Sequence, residues 1–340
     1  MPRVVDVFPE VPAQRLIGEL VPPPRFSAES FETYVPDPAQ PTQAAALAGL
    51  RAFAATIGTP SQGGGGRLWR RKAAAPPERR AGIYLDGGFG VGKTHLLASL
   101  WRVAPAPKAF GTFVEYTHLV GALGFQGTVA ALSGHRLVCI DEFELDDPGD
   151  TVLMSTLLNR LVEGGVRLAA TSNTLPDRLG EGRFAADDFL REIQGLSAHF
   201  DVYRIDGEDY RHRGLPDAPA PLPEADVVAS AGSTYHLDDF DALTAHLARV
   251  HPSRYGAMLD GVERVHLTGV RTLTDQAAAL RLVVLADRLY DRDIPVVSSG
   301  VPLDQVFAPE MLRGGYRKKY FRAVSRLVAL GREGRGLTSS

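Results

Sequence analysis

The sequence predicts an α/β fold, an αβα sandwich around a parallel sheet, followed by a smaller and mainly helical domain. From Ala81 onward, short apolar runs rich in β-branched residues alternate with helix-length segments, as in a parallel sheet that is covered on both faces. A glycine-rich loop joins the first run to the first helix, and polar residues end two later runs. The C-terminal part carries mostly helical patterns.

Length and composition limit the possible classes of protein. The chain has 340 residues, 44% of them hydrophobic, and a formal net charge of −3, so no overall field favours nucleic acid or membrane. The single cysteine, Cys139, excludes an intramolecular disulfide and suits a reducing compartment. Neither a signal peptide nor a run of ~18 apolar residues is recognisable. We therefore expect a cytoplasmic protein, with peripheral membrane attachment left open.

The elements follow in order along four expected parts. These parts are an N-terminal arm and basic loop (1–80), a core (81–206), a linker (207–233) and a helical lid domain (234–340). Core strands are predicted at 83–86, 112–115, 136–140, 166–171 and 201–205. Core helices are predicted at 93–102, 117–132, 150–163 and 187–198. The lid domain should contain helices at 237–249, 274–290, 302–313 and 316–331, with a short strand pair near 262–268 and 294–298.

The glycine-rich loop matches the phosphate-binding pattern G-x-x-x-x-G-K-[ST]. The matching octapeptide is Gly87-Gly88-Phe89-Gly90-Val91-Gly92-Lys93-Thr94. A strand precedes it and a helix follows from His95, which is the context of a nucleotide site and not of a chance turn. Backbone N–H groups from Gly87 to His95 are expected to bind phosphates at the helix N-terminus. Lys93 would contact the β- and γ-phosphates of ATP, and Thr94 would bind Mg²⁺.

Two later strands end in residues that complete such a site. Asp141 and Glu142 follow an apolar strand, so Asp141 is expected in the Mg²⁺ shell and Glu142 beside the attacking water. Asn173 follows the next strand, where it would contact the γ-phosphate or that water, the sensor 1 role. The alternative for Asn173 is an ordinary turn or helix cap.

These motifs, followed by a helical lid, resemble those of AAA+ ATPases, which have the P-loop NTPase fold. Further segments resemble the ZapE family, which groups bacterial cell-division ATPases with mitochondrial Afg-type relatives. The matching segments are Asp141–Phe143 with Asp147 and Asp150, Thr171–Asp177, Asp209–Arg211, Arg281–Asp291 and Phe321–Leu327. The resemblance covers about residues 30–330 and implies Mg²⁺-dependent ATP hydrolysis.

The chain departs from the family pattern in three segments. The segment 103–135 is short, and only Phe113, Tyr116 and His118 replace a His- and Phe-rich family motif. The basic loop at 57–80 and the loop at 214–233 are also atypical. These departures concern the partner and not nucleotide binding.

The resemblance also implies two functional arginines. An arginine finger that completes a neighbouring subunit's site is expected at Arg183, with Arg191 as the alternative. A lid arginine, sensor 2, is expected at Arg326 or Arg281. A finger acting between subunits implies a nucleotide-dependent homo-oligomer. Asp37 and Gln40 match a D-x-x-Q pattern, with either an adenine-side role or a helix-start role.

The resemblance also implies a target for the hydrolysis. By resemblance it is a tubulin-like division protein at the septum, with peripheral association at the inner membrane. Three alternatives stay open: a nucleic-acid-associated ATPase or helicase loader, an ATP-switched scaffold, and a membrane-protein quality-control ATPase. The basic C-terminal run from Arg313 to Arg326 is compatible with phospholipid, nucleic acid, an acidic partner or a solvated helix face.

Overall fold

The computed structural model describes residues 2–58, 80–88, 90–144, 148–176, 190–207 and 218–338. The chain divides into two compact units. The core unit comprises Leu16–Pro22 and Phe26–Arg211, and the second unit comprises Met1–Arg15, Pro23–Arg25 and His212–Ser340. The described part of the expected N-terminal arm is thus divided between the two units. Within the described ranges, none of the helices has both the length and the apolar character that crossing a membrane requires.

The first five strands form one parallel sheet. Up to residue 205 the elements are α1 (Ala13–Gly18), α2 (Pro41–Ala54), β1 (Gly82–Gly87), α3 (Lys93–Val103), β2 (Lys108–Thr112), α4 (Phe113–Leu132), β3 (Leu137–Asp141), α5 (Pro148–Glu163), β4 (Arg167–Ser172), α6 (Leu190–Ser197) and β5 (Phe200–Ile205). The strand order is β2-β3-β4-β1-β5, and every pairing is parallel. The predicted α/β fold class is therefore confirmed.

Alternate residues along each core strand supply two separate hydrophobic layers. Tyr84 packs in a cluster with side chains of α4, α5 and α6, whereas Ile83 and Leu85 pack in another with side chains of α2 and α3. Successive side chains of a strand point to opposite faces, so a sheet that is apolar on both faces needs helices on both. The result is the expected αβα sandwich.

The prediction of a second core strand at 112–115 was wrong. Strand β2 ends at Thr112, and helix α4 begins with the next residue. A capping box determines this boundary: the Thr112 hydroxyl accepts from the Glu115 backbone N–H at 3.3 Å, and the Glu115 carboxylate accepts from the Thr112 N–H at 2.6 Å. These bonds outweigh the β-propensity of Phe113 and Val114.

The second unit contains a smaller parallel sheet among helices. Its elements are α7 (Glu224–Ala231), β6 (His236–Asp239), α8 (Phe240–Leu247), α9 (Tyr255–Met258), β7 (Val265–Val270), α10 (Gln276–Asp291), β8 (Val296–Gly300) and α11 (Arg317–Thr338). The sheet order is β6-β7-β8, so the predicted strand pair is confirmed as β7 and β8. Strand β6 was not predicted, because residues 237–239 were assigned to a helix at 237–249. That helix begins only at Phe240.

The predicted helix at 302–313 was also wrong. Only two short 3₁₀ turns form there, at Leu303–Gln305 and Met311–Arg313. Between them, Phe307 forms an isolated parallel bridge with Leu273, whose N–H donates to the Val306 carbonyl at 2.8 Å and whose carbonyl accepts from the Ala308 N–H at 3.1 Å.

Residues 2–8, which we call the N-terminal segment, dock on the second unit. The Leu237 N–H donates to the Pro2 carbonyl at 3.2 Å, and the buried Asp238 carboxylate accepts from the Val4 and Val5 N–H groups at 2.9 and 3.2 Å. Burial raises the pKa of Asp238 despite these bonds. The segment covers the outer edge of β6, which would otherwise expose unpaired backbone groups.

Candidate functional site

The carboxyl ends of β1, β4 and β3 lie side by side in the core sheet. Asp86 of β1 is in register with Ser172 of β4, and β4 pairs on its other edge with β3, which ends at Asp141. Parallel strands end at the same edge of a sheet, and ligands of such sheets bind there. The phosphate-loop pattern, the acidic pair and Asn173 therefore meet at one edge.

The loop after β1 has the backbone conformation that its glycines allow. Gly90 and Gly92 have φ values of +79° and +85°, in the left-handed region that favours glycine. Gly92 is the N-cap of α3, so the N-terminus of this helix begins at Lys93. Gly88 faces open space, with no atom within 4 Å of where a Cβ would lie. An exposed loop backbone ahead of a helix N-terminus fits an anionic phosphate.

Lys93 links this loop to the end of β4. Its ammonium donates to the Gly87 carbonyl at 2.8 Å, to the Gly88 carbonyl, and to Oδ1 of Asn173 at 2.9 Å. The other side of the Asn173 amide faces Glu144, with Nδ2 and Oε1 3.4 Å apart. Glu144 is buried, so it fixes which side of the amide faces Lys93.

Thr94 and Asp141 form the part of the site that suits a metal ion. The Thr94 hydroxyl lies 3.0 and 3.2 Å from the two carboxylate oxygens of Asp141. Burial and the neighbouring Glu142 carboxylate raise the pKa of Asp141, although the hydroxyls of Thr171 and Thr94 and the charge of Lys93 oppose this. A buried carboxylate beside a hydroxyl is a hard-oxygen donor set that favours a nearby cation, so these residues fit Mg²⁺.

Glu142 has an unusual backbone conformation. Its φ is +53°, a left-handed value that is uncommon for a residue other than glycine. The Glu142 N–H donates to the Thr171 hydroxyl at 3.1 Å, and the next N–H, that of Phe143, donates to the Thr171 carbonyl at 2.7 Å. Such conformations persist only where surrounding bonds hold them, and they cluster at functional sites.

A short stretch of the core unit, residues 29–34, supports the phosphate loop from outside. The buried Tyr34 donates its hydroxyl to the Val91 carbonyl at 3.1 Å, and its ring lies against Gly92. His95, predicted to bind nucleotide, places Nε2 2.9 Å from the Ser30 carbonyl and Nδ1 3.3 Å from the Glu29 carboxylate. These contacts connect the start of α3 to residues 29–34.

Of the arginines implied by resemblance, Arg281 and Arg326 belong to the second unit and Arg191 to the core unit. Arg326 on α11 is bonded to Asp287 on α10 and lies over the Tyr290 ring, 5.1 Å from its centroid. Arg281 is half-buried on α10, and Arg191 is exposed near the start of α6. Several predicted features lie outside the described residues: Phe89, Asp147, Asp177, Arg183, Asp209–Arg211, residues 59–79 of the basic loop and residues 214–217 of the loop at 214–233.

The D-x-x-Q pattern lies at the start of α2. The Asp37 carboxylate accepts from the Ala39 N–H at 2.9 Å, and the Asp37 N–H donates to the Gln43 side chain at 2.9 Å. Gln40 is the N-cap of α2 but makes no side-chain cap bond. Neither side chain caps α2 through these bonds, so both roles that the sequence left open for this pattern stay predictions.

Sequence reasoning assigned no role to Tyr34, Glu144 or Thr171, which all contact predicted site residues. Only Thr171 carried a usable signal, since it is a hydroxyl residue near the end of an otherwise apolar strand. Tyr34 and Glu144 reach the site through pairing and packing that no local pattern reveals.

The sequence of this chain is similar to those of known proteins. The family model described as AFG1-like ATPase matches residues 10–236 and 224–334. Cell division protein ZapE of Escherichia coli is 26% identical over 309 residues, which cover 77% of this chain and 81% of that protein. An uncharacterised protein of Schizosaccharomyces pombe is 28% identical over 153 residues, which cover 40% of this chain and 34% of that protein.

Solved structures show a more distant likeness. Domain III of the replication initiation protein DnaA from Thermotoga maritima aligns with 91% of this chain and 97% of its own, at 12% identity and a TM-score of 0.39. AMPPCP-bound DnaA from Aquifex aeolicus aligns with 52% of this chain and 50% of its own, at 14% identity and a TM-score of 0.38.

Proposed function

Because the chain belongs to the family of AFG1-like ATPases, we propose that it hydrolyses ATP with Mg²⁺ at the core-sheet edge where β1, β4 and β3 end. One observation carries this proposal: hydrogen bonds between two pairs of residues join the three motifs into one site. Lys93 bonds to Asn173, and Thr94 bonds to Asp141. The loop that follows β1 is thereby bonded to residues at the ends of β3 and β4.

Each group of residues has a different role in hydrolysis. The glycine loop and the N-terminus of α3 bind the phosphates, while Lys93 and Asn173 contact the γ-phosphate. Thr94 and Asp141 would hold Mg²⁺, which when bound neutralises charge on the phosphate oxygens. Glu142 orients a water and accepts its proton as the water attacks the γ-phosphorus and the bond to the bridging oxygen breaks.

Substituting Glu142 by glutamine separates binding from turnover. Glutamine keeps the shape of the side chain but cannot accept the proton, so turnover should fall about 100-fold or more while ATP still binds. The matched control is Glu163→Gln on α5, whose side chain is 67% exposed. We expect Glu163→Gln to hydrolyse ATP at the wild-type rate. Wild-type turnover in Glu142→Gln would overturn the assignment.

An arginine from a neighbouring subunit is proposed to complete the site. Arg183 is the first candidate and Arg191 the second, and either would neutralise charge on the γ-phosphate in the transition state. This arrangement requires a nucleotide-dependent homo-oligomer. The alanine variant of the true finger should lose turnover and regain it in mixed oligomers with Glu142→Gln. Two variants with unchanged turnover would exclude both arginines.

Hydrolysis is further proposed to remodel an assembly of the tubulin-like division protein, at the septum or the inner membrane. The support is the 26% identity to ZapE of Escherichia coli, which is a cell division protein by name. The test compares turnover with division-protein polymers, with single-stranded DNA and with neither. Stimulation by the polymers supports the proposal. Stimulation by DNA alone, with a steep salt dependence, would replace it by a nucleic-acid-associated ATPase.

A further inference from the structure

Thr171 contacts both members of the acidic pair through a single hydroxyl. It lies in β4 near the carboxyl end and is 1% exposed. Its hydroxyl donates to Oδ1 of Asp141 and accepts from the backbone N–H of Glu142 at 3.1 Å. One buried oxygen atom therefore connects the proposed metal ligand to the proposed general base.

The backbone of Thr171 completes the connection. Its carbonyl accepts from the Phe143 N–H at 2.7 Å, so the peptide groups on both sides of Glu142 are bonded to the same residue. Glu142 lies between these two bonds with a φ of +53°. A left-handed backbone of this kind is unfavourable without such support, and it determines the direction in which the side chain leaves the chain.

We propose that the Thr171 hydroxyl is a positioning residue for hydrolysis. It orients the Asp141 carboxylate towards Thr94, and it fixes the backbone from which the Glu142 side chain extends. In this role Thr171 acts through Asp141 and Glu142 and not through the phosphate itself. This inference rests on the proposed function, because it gives Thr171 a role only through Asp141 and Glu142.

Valine is the informative substitution because it has nearly the shape of threonine without the hydroxyl. In Thr171→Val, the Glu142 N–H and Oδ1 of Asp141 both lose a buried partner. Supporting residues of this type change activity or metal affinity by about 10- to 100-fold. We therefore expect kcat to fall by about 10- to 100-fold, with a much smaller change in KM for ATP. Thr171→Ser keeps the hydroxyl and should lie within about threefold of wild type.

A second measurement does not depend on hydrolysis. The probe is the non-hydrolysable analogue AMPPCP, whose Kd is measured with Mg²⁺ and with EDTA. Mg²⁺ should strengthen binding less in Thr171→Val than in wild type, because Asp141 is no longer held towards Thr94. If the valine variant does not fold, Thr171→Ser and Thr171→Ala differ in the hydroxyl alone and provide the same comparison.

The matched control is Thr128→Val in α4. Thr128 is also fully buried, and its hydroxyl donates to the Gly124 carbonyl at 2.9 Å, within the core unit but away from the strand ends. This variant should lose stability and keep kcat. Wild-type kcat and Mg²⁺ dependence in Thr171→Val, with slow turnover in Glu142→Gln, would overturn this inference alone. Equal losses in Thr171→Ser and Thr171→Val would also overturn it, whereas wild-type turnover in Glu142→Gln would overturn the proposed hydrolysis as well.

Discussion

Replacing Asp287 by asparagine removes a charge that two arginines of the second unit share. The carboxylate on α10 accepts hydrogen bonds from Arg322, at 2.9 Å, and from Arg326, both on α11. The three side chains are only 16% to 20% exposed, so water screens their charges weakly. The cluster joins two sequence segments that resemble family motifs. Arg281–Asp291 contains the carboxylate, and Phe321–Leu327 contains both arginines.

The expected loss follows from the chemistry of these bonds. A hydrogen bond to a charged group contributes about 1.5–3 kcal/mol, and breaking a buried ion pair on one side costs about 3–5 kcal/mol. Asparagine still offers one oxygen acceptor, and the site keeps some exposure to water. We therefore expect a loss of about 3 kcal/mol in the free energy of unfolding, or roughly 10 °C in the melting temperature of this unit.

The stabilisation by the Asp287 carboxylate should decrease as the pH falls. Burial alone would raise the pKa of Asp287, but the guanidinium groups of Arg322 and Arg326 outweigh it and hold the pKa below its ordinary value. The unfolded chain therefore binds the proton more readily than the folded one. The stabilisation is complete above the ordinary pKa of about 3.9 and is lost as the pH falls through the folded-state value. The difference between wild type and Asp287→Asn should be full at neutral pH and shrink in acid.

Calorimetry of the full chain gives the melting temperature, and hydrogen exchange read on peptides from α10 and α11 localises the effect. The control is Asp260→Asn, because Asp260 pairs with Arg15 in the same unit but is 49% exposed. An exposed pair contributes at most about 1 kcal/mol, so this variant should melt near wild type. Equal melting temperatures for the two variants, with unchanged exchange in α10 and α11, would refute the reasoning.

Two other substitutions test the phosphate loop and the N-terminal segment. Gly92→Ala should weaken AMPPCP binding about 10-fold or more, because its φ is +85° and a Cβ would lie 2.6 Å from the Tyr34 ring. Gly121→Ala in α4, where a Cβ meets no atom within 4 Å, should bind normally, and equal affinities would contradict this account of the loop. Asp238→Ala should cost about 2 kcal/mol and speed hydrogen exchange in residues 2–8, since two backbone N–H groups lose their acceptor. Unchanged exchange there would mean that other contacts hold the segment.

Most of the core sheet could be predicted from sequence because its signals are local. Short apolar runs bounded by glycine and polar residues identified β1, β3, β4 and β5, and the glycine loop identified the start of α3. Strand β2 was misplaced because Phe113 and Val114 favour a strand, whereas the capping box of Thr112 and Glu115 favours a helix. The capping-box pattern, with Thr112 followed three residues later by Glu115, is present in the sequence and favours the helix start that the structure has.

The second unit was harder to predict because its pairing partners are distant in sequence. Strand β6 reads His236-Leu237-Asp238-Asp239, which has little β-propensity, and it forms because β7 and the N-terminal segment flank it. At the candidate site, motif spacing predicted Lys93, Asp141 and Asn173, and the fold brings these residues together. The support from Tyr34, Glu144 and Thr171 depends on tertiary contacts, which single-sequence patterns do not encode.

The docking of the N-terminal segment has a consequence for the time course of biosynthesis. The Val4 N–H bonds to Asp238, which lies 234 residues further along the chain. At about 5–20 residues per second, the ribosome delivers this partner roughly 10–50 s after Val4. The core unit is synthesised within that interval and can fold while the segment still lacks its strand. The edge of β6 therefore closes late, and in concentrated nascent chains it is the place where one molecule can accept the segment of another.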